Sequence, residues 1–272
     1  SLQGGFGNVT NEKNIHIYSP IAEKVVAINH QNGMDYWIVV QSSTSDYYAY
    51  SLTPSGITNS TAPIISIGEV ATNVGYLKSN NDGNKIVNAF YQGTDSNGLT
   101  VTGFNIWDFD NTTGMLSNSM TFDWGSPSQV NKTYGIEFSA SGDLLYISAP
   151  YNEKIYQYNL LAGSQLTIDN TKTLITPSIT NDGGGALQLG PDNKIYYAKS
   201  GSTNFLGVIS DPDVLGSGCN YSASGFALSP PTSSSWGLPT FYNSITVSSP
   251  LVGCDSVATA IIDIKNSSST YT

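Results

Sequence analysis

The side chains that could do chemistry are few in this chain, and they are scattered. The sequence has two histidines, His16 and His30, and no G-x-S-x-G motif that would place a nucleophilic serine beside one of them. The histidines and the two cysteines, Cys219 and Cys254, are too far apart along the chain to indicate a clustered metal site. No arginine is present, which excludes a sialidase-type arginine cluster. The sequence therefore predicts no catalytic residue.

The 20 acidic residues are the remaining candidates for chemistry. A pair of carboxylates at a channel mouth could cleave a polysaccharide, but spacing along the chain does not decide this because geometry does. Two acidic segments, DFDNTTG over Asp108–Gly114 and DPD over Asp211–Asp213, have the oxygen-rich composition of calcium-binding loops. The alternative for each is a plain turn. Calcium at these two loops is the one cofactor that the sequence leaves open.

These residues must be positioned by a repeat of about 50 residues. A hairpin-turn residue recurs with spacings of 50, 59 and 51 residues, at Gly33, Gly83, Gly142 and Asn193. Asparagine replaces glycine at the last position because both residues tolerate the left-handed conformation of a tight turn. A second series recurs with spacings of 60, 50 and 52 residues, at Gly75, Gly135, Gly185 and Gly237. Two series with one period indicate a repeat array.

Each period contains four short runs in which apolar and polar residues alternate. Such runs are antiparallel strands, and four in each period predict the blades of an all-β β-propeller. We expect each glycine of the second series to begin an innermost strand, where a side chain would clash at the crowded axis. Four complete blades span residues 24–228, and Asn14–Pro20 and Trp236–Ser244 look like strands of partial blades at the two ends.

The repeat also predicts the domain organisation. We expect the propeller to cover residues 1–245 and a tail to cover 246–272. A closed ring generally has more than four blades, because closure is what removes its exposed edges. We therefore expect the chain to be a fragment of a larger ring.

Composition excludes several classes of partner. All ten basic residues are lysine, and the net charge is −10. Such a chain repels phosphate backbones and has no bidentate fork for phosphate or guanine, so nucleic acid and anionic membranes are excluded as partners. No run approaches the ~20 apolar residues of a membrane span. Charged residues make up only 11% of the chain, which is typical of extracellular all-β proteins.

Two tryptophans are the candidate ligand-binding residues. The connections from each outer strand to the next inner strand should lie around one mouth of the channel, and two of them carry Trp124 and Trp236. An exposed tryptophan with polar neighbours can stack on a sugar ring or anchor a protein partner. The alternative, which we favour, is that each ring fills the gap between adjacent blades.

Six segments carry a resemblance to a known family. They are residues 23–57, WDFDNTTG (107–114), YGIEFSASGDLLYIS (134–148), ALQLGPDNKIYYA (186–198), LGVISDPDVLGSGCNY (206–221) and WGLPTFYNS (236–244). They resemble the N-terminal β-propeller of large cell-surface proteins of gliding and related Bacteroidota, which the type IX secretion system exports. The resemblance covers roughly residues 14–244. It implies a bacterial cell-surface location and contact with the secretion and surface-anchoring machinery.

The tail carries two further candidates. Residues 254–268 resemble an end strand of the immunoglobulin-like modules that follow the propeller in that family, and DSV resembles the short O-glycosylation signal of such bacteria, which makes Ser256 a candidate glycosylation site. A disulfide between Cys219 and Cys254 would close a long loop and would suit an oxidising compartment. Two free buried thiols are the alternative.

Together these features predict a non-enzymatic module of a secreted surface protein, serving adhesion, glycan or protein-partner binding, or simply as a folded spacer; the resemblance further implies an association with gliding motility. Two alternatives stay open. One is a polysaccharide-active hydrolase or lyase with acidic residues at the channel mouth. The other is a structural subunit of a surface filament or complex, in which free strand edges pair with another chain.

Overall fold

The computed structural model describes residues 16–128, 131–152, 154–176, 183–201 and 203–239, together with two short strands near the C-terminus. Blade A contains β1 (Ile21–Asn29), β2 (Tyr36–Ser42), β3 (Tyr47–Thr53), β4 (Gly56–Ile57) and β5 (Ile64–Ser66). Blade B contains β6 (Val70–Thr72), β7 (Leu77–Ser79), β8 (Lys85–Asp95), β9 (Thr100–Asp110) and β10 (Met115–Asp123). Blade C contains β11 (Ile136–Phe138), β12 (Leu144–Ala149), β13 (Lys154–Asn159) and β14 (Thr173–Leu174). Blade D contains β15 (Gly184–Leu189), β16 (Ile195–Lys199), β17 (Phe205–Ile209) and β18 (Tyr221–Ala227).

Little else in the described residues is regular. One short helix, α1 (Gln165–Asp169), and three 3-10 turns, Pro150–Asn152, Leu160–Ala162 and Gly216–Cys219, connect strands. Outside the blades, β19 (Ile245–Val247) pairs with β20 (Ile262–Ile264) in an antiparallel fashion. No helix within the described ranges is long and apolar enough to cross a membrane.

The four sheets are antiparallel and are arranged as the blades of a propeller. Their innermost strands are β1, β7, β11 and β15, and each contacts the next in this order. The predicted all-β propeller of four-stranded blades is confirmed. The hairpin turns after these strands also have the predicted conformation, because Gly33, Gly83, Gly142 and Asn193 adopt φ of 71°, 65°, 80° and 60°.

The axis is as crowded as the glycine series predicts at three of its four positions. A Cβ added at Gly75, Gly135 or Gly185 would lie 2.1 to 2.3 Å from a backbone oxygen. Gly237 differs, because its nearest neighbour would be the Tyr76 hydroxyl oxygen at 3.9 Å. No strand is assigned to residues 16–20 or 236–239, which are the described parts of the two predicted partial blades.

The hydrophobic core lies between the blades rather than within one of them. Tyr47 and Trp107 join blade A to blade B, with ring centroids 5.6 Å apart. Phe104 of blade B meets Tyr158 of blade C, with ring centroids 5.0 Å apart. Because an apolar face of each blade is buried only against its neighbour, the blades stabilise one another.

Candidate functional site

Three inner strands each place one polar side chain at the wall of the same axial cavity. Lys78 lies on β7, Glu137 on β11 and Gln188 on β15. Each stands five residues before the turn residue of its own blade, and blade A has Ile28 at this position. The repeat therefore brings together three residues that are far apart in the sequence. Sequence analysis did not single them out.

The three side chains form a buried contact, which we call the axial triad. The Lys78 ammonium donates to Glu137 Oε2 at 3.0 Å and to Gln188 Oε1 at 2.6 Å. The side chains of Lys78 and Glu137 are each only 6% exposed. Low exposure strengthens the attraction within an ion pair, because little water screens it. It also means that either charge, left without its partner, would lower the stability of the fold.

Backbone groups fix the orientation of the triad. Glu137 accepts from the backbone N–H of Phe138 and from that of Leu189, both at 3.1 Å. The Gln188 amide nitrogen donates to the Leu189 carbonyl at 3.0 Å, which turns its oxygen toward Lys78. A carboxylate has about four acceptor sites and an ammonium has three donors. The described contacts therefore leave about one acceptor site on Glu137 and one donor on Lys78 for a bound molecule.

The axial cavity has a volume of about 220 Å³. Its polar lining comes from the ends of inner strands and from the turns that follow, including Asn29, Ser79 and Asn80. Apolar side chains such as Phe138 and Leu189 cover the rest. Among the described lining residues, Glu137 supplies the only carboxylate. The two-carboxylate arrangement of most glycoside hydrolases is therefore not formed by this wall.

A second buried lysine, Lys24, lies between blades A and B and has different surroundings. Its ammonium donates to Asn88 Oδ1 at 2.6 Å, the Ala89 carbonyl at 2.8 Å and Gln41 Oε1 at 3.2 Å. No carboxylate forms an ion pair with it in the described part of the chain. Burial lowers the pKa of Lys24 well below its usual value. The hydrogen bonds of Lys24 therefore join two blades, although burying its charge without a carboxylate partner lowers the stability gained.

Trp124 is held between blades, as the alternative interpretation of this residue predicts. Its indole nitrogen donates to the Tyr158 hydroxyl at 3.0 Å, and its ring meets Tyr156 edge to face. The Lys172 ammonium lies 3.6 Å from the centre of the Trp124 ring. Burial lowers the pKa of Lys172. These contacts engage the Trp124 ring within the protein.

Trp236 lies apart from Trp124, in an aromatic group at the face where the inner strands begin. We call this group the mouth aromatic set, and it consists of Tyr76, Tyr91, Tyr134, Tyr151 and Trp236. The Trp236 ring meets Tyr134 at 5.5 Å and Tyr151 at 6.2 Å. Burial raises the pKa of Tyr134 to about 12, so its hydroxyl stays protonated and can donate.

The two candidate calcium loops form turns in the structure. Asp110 accepts from the backbone N–H of Thr112 at 2.9 Å, and this contact holds the pKa of Asp110 below its usual range. Asp108 forms an ion pair with Lys85 at 2.8 Å. Asp213 accepts from the backbone of Ser141 at 3.0 Å. Within the described ranges, no group of three or more His, Cys, Asp or Glu residues could hold a metal ion.

The remaining candidates lie partly outside the described residues. Cys219 is buried and forms no disulfide with another residue that the structure describes, and burial raises the pKa of its thiol. Cys254 and Ser256 lie outside the described residues, so the disulfide and the glycosylation site stay predictions. His30 packs against Trp37 and accepts from the backbone of Asn32 at 3.0 Å, while His16 is exposed. The structure brings neither histidine into the axial cavity.

Several solved structures are similar to this chain. The PQQ domain of a pyranose dehydrogenase from Coprinopsis cinerea, in its holo form, is 12% identical with a TM-score of 0.48, and the match covers 70% of this chain and 46% of that one. A periplasmic gluconolactonase from Pseudomonas aeruginosa is 11% identical with a TM-score of 0.42, covering 67% and 51%. A putative 6-phosphogluconolactonase from Bacteroides fragilis is 11% identical with a TM-score of 0.42, covering 76% and 70%. The chain spans about half the length of the first two. No protein-family model and no curated protein matches it.

These neighbours correct one prediction. The sequence predicts that the chain is not an enzyme, and this is contradicted because the similar solved structures include proteins named as lactonases. The identities are 11 to 12% and the TM-scores 0.41 to 0.42, so the likeness assigns no reaction to this chain. Type IX secretion, surface location, adhesion and the predicted partners stay predictions.

Proposed function

We propose that the axial cavity is an active site that hydrolyses an ester or lactone of a sugar. The observation that carries this proposal is the buried contact among Lys78, Glu137 and Gln188 at the wall of a cavity of about 220 Å³. That volume suits a single sugar ring. One fixed carboxylate beside one ammonium matches a general base beside a charge-stabilising group.

In the proposed reaction, Glu137 acts on a water molecule. The carboxylate takes a proton from the water as the water oxygen bonds to the ester carbonyl carbon. The free N–H of Lys78 stabilises the negative charge that forms on the carbonyl oxygen. The carbon–oxygen bond to the leaving alcohol then breaks, and that alcohol takes the proton from Glu137. The products are one acid and one alcohol, or a single hydroxy acid from a lactone.

The cavity lining supports a hydroxylated substrate. The side chains of Asn29 and Ser79 offer an amide and a hydroxyl group to the cavity, whereas the Asn80 side chain is hydrogen-bonded within its own turn. Val25, which is 55% exposed, adds apolar surface to the lining. A sugar ring presents the same division into hydroxyl edges and C–H faces. Few well-placed polar groups in a mostly apolar cavity are typical of small-molecule sites.

The test is proton release from glucono-δ-lactone, followed with a pH indicator against the spontaneous rate. We expect Glu137→Gln to lower kcat/KM by about 10²- to 10⁴-fold, because glutamine keeps the shape and removes the base. Asp108→Asn is the matched control, since Asp108 is also paired with a lysine but lies at the surface. A wild-type rate equal to the spontaneous rate, or a Glu137→Gln variant as active as the wild type, would refute the proposal.

A further inference from the structure

We infer that the face where the inner strands begin binds an uncharged oligosaccharide, through the mouth aromatic set and a cleft beside it. This site differs from the axial cavity, because the two share no lining residue. The inference does not require that the chain hydrolyses anything. It makes Trp236 a binding residue and gives no such role to Trp124.

The rings of the mouth aromatic set meet mainly edge to face, and the Lys132 ammonium lies 4.4 Å from the centre of the Tyr91 ring and 5.8 Å from that of the Tyr151 ring. Tyr134 meets both Tyr76 and Trp236 edge to face, with interplanar angles of 86° and 89°. Trp236 meets Tyr151 at 75°, and Tyr151 is 40% exposed. Edge-to-face packing uses the edge of one ring, whereas stacked packing covers a face of both. The stacked pair Phe104 and Phe122, at 6°, belongs to the core instead.

Contacts between rings make the surface continuous with the cleft. Trp236 contacts Tyr151, and the ring centroids of Tyr151 and Tyr91 are 6.2 Å apart. Tyr91 in turn lines the cleft. The hydroxyls of Tyr91 and Tyr151 are hydrogen-bonded to each other. This contact holds both rings in place before a ligand arrives. Fixed aromatic side chains lose little conformational entropy on binding.

The cleft has a volume of about 480 Å³ and carries no charged side chain among its described lining residues. Its polar groups are hydroxyls and amides from Thr72, Asn73, Gln92 and Thr100. One wall is packed, because β6, β8 and β9 pair there and bury a small core of Val70, Phe90 and Val101. Amide and hydroxyl groups match sugar hydroxyls without selecting an ionised ligand.

Charge favours an uncharged glycan over an acidic one. The net charge of −10 repels polyanions at long range. Lys132 is the exception at this face, and its ammonium lies 4.4 Å from the centre of the Tyr91 ring. No carboxylate forms an ion pair with Lys132 among the residues described. An ammonium on an aromatic face can donate to a sugar hydroxyl while the cation–π contact holds it.

The test is isothermal titration calorimetry with cellohexaose, mannohexaose, xylohexaose and an acidic oligogalacturonide. It uses the wild-type protein, because these oligosaccharides contain no ester or lactone that the proposed axial reaction could cleave. We expect at least one neutral hexaose to bind. Tyr151→Ala and Gln92→Ala should each weaken that binding by about threefold to tenfold, because each removes one ring or amide contact.

Two further variants keep the test decisive. Tyr196→Ala is the matched control, because Tyr196 is another half-buried tyrosine in an edge-to-face pair, with Phe226 at 5.7 Å. It should bind as the parent protein does. Trp236→Phe keeps an aromatic ring and should remove most of the tryptophan fluorescence change on binding. The inference is wrong if no neutral hexaose binds, if only the acidic oligosaccharide binds, if Tyr151→Ala binds as the parent does, or if Trp236→Phe keeps the full fluorescence change on binding.

The outcomes for the two sites are separable. Glycan binding without lactone hydrolysis would support the oligosaccharide site and refute the proposed axial chemistry. Hydrolysis without glycan binding would do the reverse.

Discussion

Removing the ammonium from the axial triad should destabilise the protein strongly. At 3.0 Å, the attraction between Lys78 and Glu137 amounts to about 5 kcal/mol when the effective dielectric constant is about 20. Lys78→Met leaves the Glu137 carboxylate buried with two backbone donors. We expect the free energy of unfolding to fall by about 3 to 5 kcal/mol, as for other buried pairs that lose one partner.

The double variant separates the worth of the pair from the penalty of breaking it. Lys78→Met with Glu137→Gln removes both charges and keeps a side-chain oxygen that can accept from the backbone N–H groups of Phe138 and Leu189, so the double variant should be more stable than Lys78→Met alone. Lys85→Met is the control, because Lys85 and Asp108 are 35% and 43% exposed. That surface pair should contribute at most about 1 kcal/mol.

Urea unfolding followed by tryptophan fluorescence measures these differences, provided that the dependence on urea is unchanged between variants. A cost below about 1 kcal/mol at pH 7 would show that solvent screens the pair.

Two further predictions concern the axis and the blade contacts. Gly185→Ala should lower the free energy of unfolding by about 1 to 3 kcal/mol, because its Cβ would lie 2.1 Å from the Trp236 carbonyl oxygen. Gly237→Ala places its Cβ 3.9 Å from its nearest neighbour, so its free energy of unfolding should stay within about 0.5 kcal/mol of the wild type. If urea unfolding shows equal losses of stability for the two variants, crowding at the axis is not the cause. Burial lowers the pKa of Lys24 below its ordinary 10.5, so between these two pKa values the unfolded chain binds more protons and stability rises with pH. The free energy of unfolding of the wild type, measured at pH 7, 8 and 9, should rise with pH, and that of Lys24→Met should not. If the two proteins show the same dependence on pH, the rise comes from other groups.

The architecture could be predicted from the sequence because its determinants are local. Alternation with a period of two marks a strand, and a positive φ calls for glycine or asparagine wherever a hairpin turns. Gly83 and Asn193 therefore mark equivalent turns although their blades share few other residues. The glycine series predicts that an innermost strand starts at Gly237, but none is seen there within the described residues. Gly237 has the spacing of the series, yet its surroundings are open where those of the other three glycines are crowded.

The axial site could not be predicted in the same way. Lys78, Glu137 and Gln188 meet only because a ring brings successive inner strands together, and a lysine or glutamine in a strand carries no mark of burial. A clue was available in the alignment of the repeats, where the position five residues before the turn is polar in three blades. Trp124 and Trp236 show the same limit. Their sequence contexts are alike, yet one ring is held between blades and the other lies at the mouth.

The axial triad draws one residue from each of three consecutive blades, and this ties its existence to the whole stack. If a single blade among the three loosens, the site loses a member even though the other two sheets stay folded. A ligand bound at the axis would then raise the free energy needed to detach any of these blades. Thermal unfolding of the array would therefore take place in fewer, more cooperative transitions.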